Sequence, residues 1–165
     1  MKTCVLFAPG PSLTKEQTIG VRADLVGVVG NAFELCDFPD FIASTDARWW
    51  ASYPQALTHP GRKFTTSRHV RGAVRVATVK SDCNSVVLTL KVARRLGAER
   101  IELYGFDMWG THFFGPYQNG LINTPPSRRL VHQQQFHDWK AANPDIEVVN
   151  KTRGSMLEAY PWIRR

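Results

Sequence analysis

His112 and His132 are the residues best suited to acid and base chemistry in this chain, because an imidazole titrates near neutrality and can take a proton from an attacking hydroxyl. Their surroundings do not resemble a metal centre. His132 and His137 miss the i, i+4 spacing of paired helical ligands, and no HExxH pattern is present. The expectation is a site with no bound metal.

A second set of residues is defined by position rather than type. Five apolar segments each run into a glycine or a small polar residue: Gly10-Pro11-Ser12, Asn31, Asp46, Asp107 and Gly154-Ser155. If those segments are parallel strands, their carboxyl ends form one edge of a sheet, where α/β proteins bind ligands. One such residue means little; five on one edge make a site.

Each has a plain alternative. Gly10 allows close backbone approach and Ser12 offers a hydroxyl ahead of helix amides suited to phosphate, yet the stretch is neither GxGxxG nor a Walker loop and also reads as a tight turn. Asn31 suits a base, a sugar or an Asx turn. Asp46, followed by Arg48-Trp49-Trp50, suits a sugar or a helix N-cap. Ser85 opens the strongest helical pattern, either as a cap or as an anion contact. Asp107 suits a ribose, a cation or its own neighbouring backbone.

The elements that must position these residues alternate strand and helix, which predicts an α/β fold with a mainly parallel sheet. Strands are expected at Cys4 to Ala8, Leu25 to Val29, Phe41 to Ser44, Lys63 to Ser67, Ala73 to Val79, Ile101 to Tyr104 and Ile146 to Asn150. Helices are expected from Thr14 to about Gly20, where Thr14 and Gln17 have capping-box spacing, and over Ala47 to Leu57, Asn84 to Leu96 and Arg128 to Ala142. Val86, Leu90, Ala93 and Leu96 give the third of these an apolar stripe, and Gly97 ends it. The stretch from Met108 to Pro126 has aromatics, glycines and prolines without periodicity, so residues 108–127 are read as a lid.

With 165 residues, of which 43% are hydrophobic, the chain suits one domain spanning 1–165. Three cysteines without a CxxC pair point away from a disulfide framework or a zinc ribbon. No apolar run approaches the roughly 20 residues of a membrane helix, and the expected location is the cytoplasm. The net charge of +7 favours anionic partners, nucleic acid among them, although the basic residues are dispersed: Arg62/Lys63, Arg68/Arg71/Arg75, Arg94/Arg95, Arg128/Arg129 and Arg164/Arg165. Trp49, Trp50 and Trp109 suit a homo-oligomer interface as well as a ligand.

The GPSL after the first strand, SVVLTLKVARRLGAERIELYGFDM (Ser85 to Met108) and IEVVNKTRGSMLEAYP (Ile146 to Pro161) together resemble the family-42 bacterial sialyltransferases and related small phage proteins. The GPSL and G-x-D pattern is also similar to archaeal pterin pyrophosphokinase-like proteins. The resemblance implies a Rossmann-like, three-layer domain that uses a CMP-linked sugar without a metal. Gly10, Pro11 and Ser12 would then touch the donor phosphate or ribose, Asn31 the nucleotide, and Ser85 the donor phosphate and sugar, with residues 150–155 closing the pocket. His132 or His112 would stand for the catalytic histidine. The chain differs in having Ala8-Pro9 where the family has Asn, and Tyr117 alone where the family lid has paired tyrosines.

Three functions follow as expectations. The first is a small glycosyltransferase using a nucleotide-activated sugar, with an acceptor open to anionic molecules such as phage DNA. The second is Mg-dependent pyrophosphate transfer from ATP to a hydroxymethyl heterocycle, using Asp46 and Asp107. The third is a non-catalytic nucleotide or nucleotide-sugar binder.

Overall fold

The computed structural model describes residues 1–79 and 83–164, and Arg165, the last of the basic pairs, lies outside them. Seven strands, β1 (Thr3–Phe7), β2 (Leu25–Val29), β3 (Phe41–Ala43), β4 (Arg62–Thr65), β5 (Val74–Arg75), β6 (Arg100–Tyr104) and β7 (Glu147–Asn150), form one sheet in the order β5-β4-β3-β2-β1-β6-β7. Every pairing is parallel. The helices are α1 (Lys15–Thr18), α2 (Ala47–Ser52), α3 (Gln55–Thr58), α4 (Ser85–Arg95) and α5 (Pro126–Ala142), with a 3-10 turn at Gly30–Glu34.

Strand periodicity explains the three layers. Cys4 and Leu6 of β1, Val29 of β2 and Phe41 and Ala43 of β3 point to one core, shared with Val87, Leu88 and Leu90 of α4 and Phe136 and Trp139 of α5. The alternate residues, Val5, Phe7, Val28 and Ile42, face the other, filled by Phe33, Trp49, Trp50 and Ala56. Both faces are therefore covered, as an all-parallel sheet requires, and the chain is a single Rossmann-like α/β fold.

Several expected boundaries shift for local reasons. Pro54 has no amide hydrogen to continue a helix, so the segment expected as one helix over Ala47 to Leu57 becomes α2 and α3. The helix expected from Thr14 is one turn, with Gln17 Oε1 accepting from the Thr14 amide at 2.9 Å. Of the strand expected over Ala73 to Val79 only two residues pair, because β5 is the sheet edge. Helix α5 begins at Pro126, since proline suits the first helical turn.

Candidate functional site

The turns after β1 and β6 close on each other. The Ala8 amide donates to the Tyr104 carbonyl at 2.9 Å, and the Gly10 amide to the Gly105 carbonyl at 3.1 Å. A Cβ on Gly10 would lie 2.1 Å from Asp107 Oδ2 and 2.2 Å from the Gly105 carbonyl oxygen, and one on Gly105 would lie 2.1 Å from the Ala8 carbonyl oxygen. Glycine at position 10 is thus required by another part of the chain as well as lining the cleft that opens beside these turns.

Ser12 is turned the same way. Its hydroxyl and its amide donate to Asp107 Oδ2 at 2.9 and 3.3 Å. Asp107 is 1% exposed, and its Oδ1 has no hydrogen-bond partner among the described residues. Burial pushes its carboxyl above the usual range, against the pull of the Ser12 hydroxyl and amide. Ser12 and Pro11 stand behind the cleft rather than in its wall.

The cleft itself, about 330 Å³, opens between these closed turns, the end of β3, the start of α4 and the lid. That volume is at the lower end of ordinary small-molecule sites. Its polar wall is built on Thr45 and Ser85. The Thr45 amide donates to Ser85 Oγ at 2.9 Å, and the two hydroxyl oxygens are 3.0 Å apart. Asn84, not Ser85, caps α4: its Oδ1 accepts from the Val86 and Val87 amides at 2.9 and 3.0 Å. Its Nδ2 donates to Gln135 Oε1 at 2.8 Å, which ties α4 to α5. Asp46 lines the cleft while its Oδ1 caps α2, accepting from the Arg48 amide at 2.8 Å.

The opposite wall is the lid and the first turns of α5. Met108 holds a left-handed φ of 61°, a conformation few side chains adopt without strain, at the point where the chain leaves β6 for the lid. The lid is anchored at three points: the Phe113 amide donates to the Pro9 carbonyl at 3.0 Å, Arg129 Nη2 to the Gly110 carbonyl at 2.8 Å, and the Tyr117 hydroxyl to Asn31 Oδ1 at 3.0 Å. His112 stacks on Phe114, with ring centroids 4.7 Å apart and planes within 2°, and lies 4.4 Å from Tyr117.

His112 Nδ1 is 3.1 Å from the Gly115 carbonyl, which only accepts. The proton therefore sits on Nδ1, and Nε2 keeps its lone pair. Burial holds this imidazole below the usual histidine range, although the Gly115 carbonyl pulls upward. His132 reaches the same cleft from α5 and is lowered by burial and then by the charge of Arg128, but no hydrogen bond among the described residues orients its ring.

Six expected residues thus share the cleft: Gly10, Asp46, Ser85, Asp107, His112 and His132. The others are committed elsewhere. Asn31 is 1% exposed, its Oδ1 accepting from Trp49 Nε1 at 2.7 Å as well as from Tyr117, and its Nδ2 donating to Glu34. Ser155 donates to the Phe106 carbonyl at 2.6 Å, which pins the segment after β7 to the end of β6, and Gly154 lies on the exposed turn beside it. Trp49 and Trp50 are buried, which corrects their reading as interface residues; Trp109 is 41% exposed.

Thr45, Asn84 and Arg129 also line the cleft and were not singled out from the sequence. The signal for Asn84 was the doublet of cap-forming residues Asn84-Ser85, of which the first is the cap. Among the described residues no group of three His, Cys, Asp or Glu side chains is placed to hold a metal ion, and no helix is long and apolar enough to cross a membrane.

No family model, curated protein or solved structure matches the chain.

Proposed function

We propose that this chain is a small glycosyltransferase that takes a nucleotide-activated sugar, CMP-linked by the resemblance of its motifs, in the cleft between β3, α4 and the lid. One juxtaposition supports this reading above the rest: hydroxyls and the start of α4 form one wall, and an imidazole with a defined tautomer stands on the other. The donor phosphate would lie against Thr45, Ser85 and the guanidinium of Arg129, which supply donors for the charge that grows as it leaves.

His112 Nε2 accepts the proton of the acceptor hydroxyl as that oxygen attacks the anomeric carbon. The bond from that carbon to the phosphate oxygen breaks, and its electron pair departs with the nucleotide. His112 is favoured over His132 because the Gly115 carbonyl fixes its proton on Nδ1 and burial keeps the ring neutral at pH 7. Pyrophosphate transfer through Asp46 and Asp107 is less favoured, since Asp46 caps a helix and one oxygen of Asp107 already holds Ser12.

Thermal-shift titration with CMP, UDP, GDP, ATP and their sugar conjugates tests binding, and product formation tests turnover. A nucleotide sugar is expected to raise the melting temperature without added Mg²⁺. The His112→Gln variant is expected to bind it while turnover falls by about 10²–10⁴. Stabilisation by ATP with Mg²⁺ alone, or unchanged turnover in His112→Gln, would contradict the proposal.

A further inference from the structure

Charge is unevenly distributed along this fold. Residues 62–79 contain Arg62, Lys63, Arg68, Arg71 and Arg75 and no Asp or Glu, so they carry +5 of the chain's net +7. Lys63 is turned inward, donating to the His59 and Gly61 carbonyls. The four arginines are exposed, and among the described residues none of them forms an ion pair. Three basic residues elsewhere are ion-paired, Lys15 with Asp37 at 2.6 Å, Arg94 with Asp145 at 2.9 Å, and Arg100 with Glu102 at 3.0 Å and with Glu147, whereas residues 62–79 hold no carboxylate of their own.

These arginines lie on two neighbouring strands and the segment that joins them, Arg62 with its guanidinium 5.1 Å from the Phe64 ring and Arg75 on the opposite face of the sheet, level with Thr65. Arg62 starts β4 and Arg68 follows its carboxyl end; Arg71 precedes β5 and Arg75 ends it. Strand β5 is the outermost of the sheet and pairs with β4, and among the described residues its other side has no strand partner. At ~3.3 Å per residue the four residues of β4 separate its two ends by about 10 Å. The cations are therefore spread around the β4–β5 edge rather than gathered about one anion.

We propose that this β4–β5 edge is a docking surface for the phosphodiester backbone of a nucleic acid. Arginine's planar fork suits phosphate, and several of them spread over one edge suit a repeating polyanion better than a single free phosphate. An anionic membrane fits less well, because the large apolar side chains exposed in this segment are only Val74 and Val79, with no aromatic or long aliphatic group to enter a headgroup layer. With no exposed Phe, Tyr or Trp in residues 62–79 to stack on a base, recognition is of backbone and not of sequence.

The edge also adjoins the cleft. Thr66 Oγ1 donates to the Thr45 carbonyl at 3.5 Å, so the Arg68 end of the edge lies beside a wall of the site. A hydroxyl on the docked polymer would then be within reach as the acceptor. That last step rests on the transferase reading; the docking itself does not.

Fluorescence anisotropy with a labelled mixed-sequence DNA single strand of about 20 nucleotides tests the surface without any nucleotide sugar. Wild-type protein is expected to bind with log K falling against log salt at a slope near −3, from four contacts at roughly 0.7 each. Arg68→Glu/Arg71→Glu/Arg75→Glu is expected to lose more than tenfold in affinity at about 50 mM salt, with the slope of any residual binding shallower by about 2. The control Arg22→Glu/Arg153→Glu/Arg164→Glu makes the same change in net charge at other exposed arginines and is expected to keep most of the affinity. Absence of wild-type binding, an equal loss in the control, or tighter association with phosphatidylserine vesicles than with DNA would overturn the proposal. Failure of nucleotide binding in the cleft, with DNA binding intact, would instead remove only the transferase reading.

Discussion

After β1 the chain meets the turn after β6 backbone to backbone, through the Ala8–Tyr104 and Gly10–Gly105 hydrogen bonds. After β3, on the same edge of the same sheet, it meets α4 through the hydroxyls of Thr45 and Ser85, and a cleft opens beside the contact. The first closure forms one wall of the same cleft, at the position between β1 and β6 where the strand order reverses and where an open α/β sheet usually takes its ligand. The second leaves hydroxyls with capacity to spare, because each has one donor and two acceptor sites and uses only part of them. Both contacts line the cleft, but at the reversal the backbone groups are used up by each other, whereas at the end of β3 the hydroxyls keep capacity for a ligand.

Breaking the first closure should have the largest effect. Gly10→Val puts carbon atoms where Asp107 Oδ2 and the Gly105 carbonyl lie, and is expected to cost more than about 4 kcal/mol or to prevent folding. By contrast, a Cβ on Gly154 would meet nothing within 4 Å, so Gly154→Ala is expected to cost only about 1 kcal/mol for its φ of 72°. Thermal unfolding followed by circular dichroism compares the two. Equal melting temperatures for both variants would contradict the packing account.

Ser12→Ala comes next. It removes the side-chain partner of Asp107 Oδ2 in a buried setting and is expected to cost about 1–3 kcal/mol. Asn84→Ala removes the cap of α4 and its link to Gln135, with an expected loss of about 1–2 kcal/mol in chemical denaturation.

The smallest expected change is in pH response. The His112 imidazole is held below its ordinary 6.5, so the acid limb of the kcat/KM profile should have its midpoint below that value. For stability the sign is the same: a lowered pKa contributes stability that is present above 6.5 and lost as pH falls through the folded value. A midpoint above 6.5, or an unchanged acid limb in His112→Gln, would exclude His112 as the base.

Much of the fold was legible because strand periodicity and the α4 stripe are local signals. The positions of β1, β2, β3 and β6 follow from apolar residues, which bury both faces of β1 and β3 and the Ile101/Leu103 face of β6. The shortness of β5 was not legible, since it depends on the sheet ending there. In the site, the convergence of strand ends was visible and the direction of each side chain was not. Ser12, Asn31 and Ser155 have suitable chemistry, but their partners Asp107, Trp49, Tyr117 and Phe106 come from distant parts of the chain. Gly10 illustrates the same limit: a glycine needed for close approach does not reveal from sequence what approaches.

Calorimetric titration of CMP and a CMP-linked sugar into wild-type protein and into Ser85→Ala tests the central claim most directly. The account predicts saturable binding to the wild type and about tenfold weaker binding to Ser85→Ala, from the loss of roughly one hydrogen bond to a charged group. The unliganded variant should keep α4, which Asn84 caps, and lose about 1–3 kcal/mol of stability with the Thr45 amide's partner, so the titrations are compared where both proteins are folded. Equal affinity in the two proteins, or no nucleotide binding to the wild type, would contradict it.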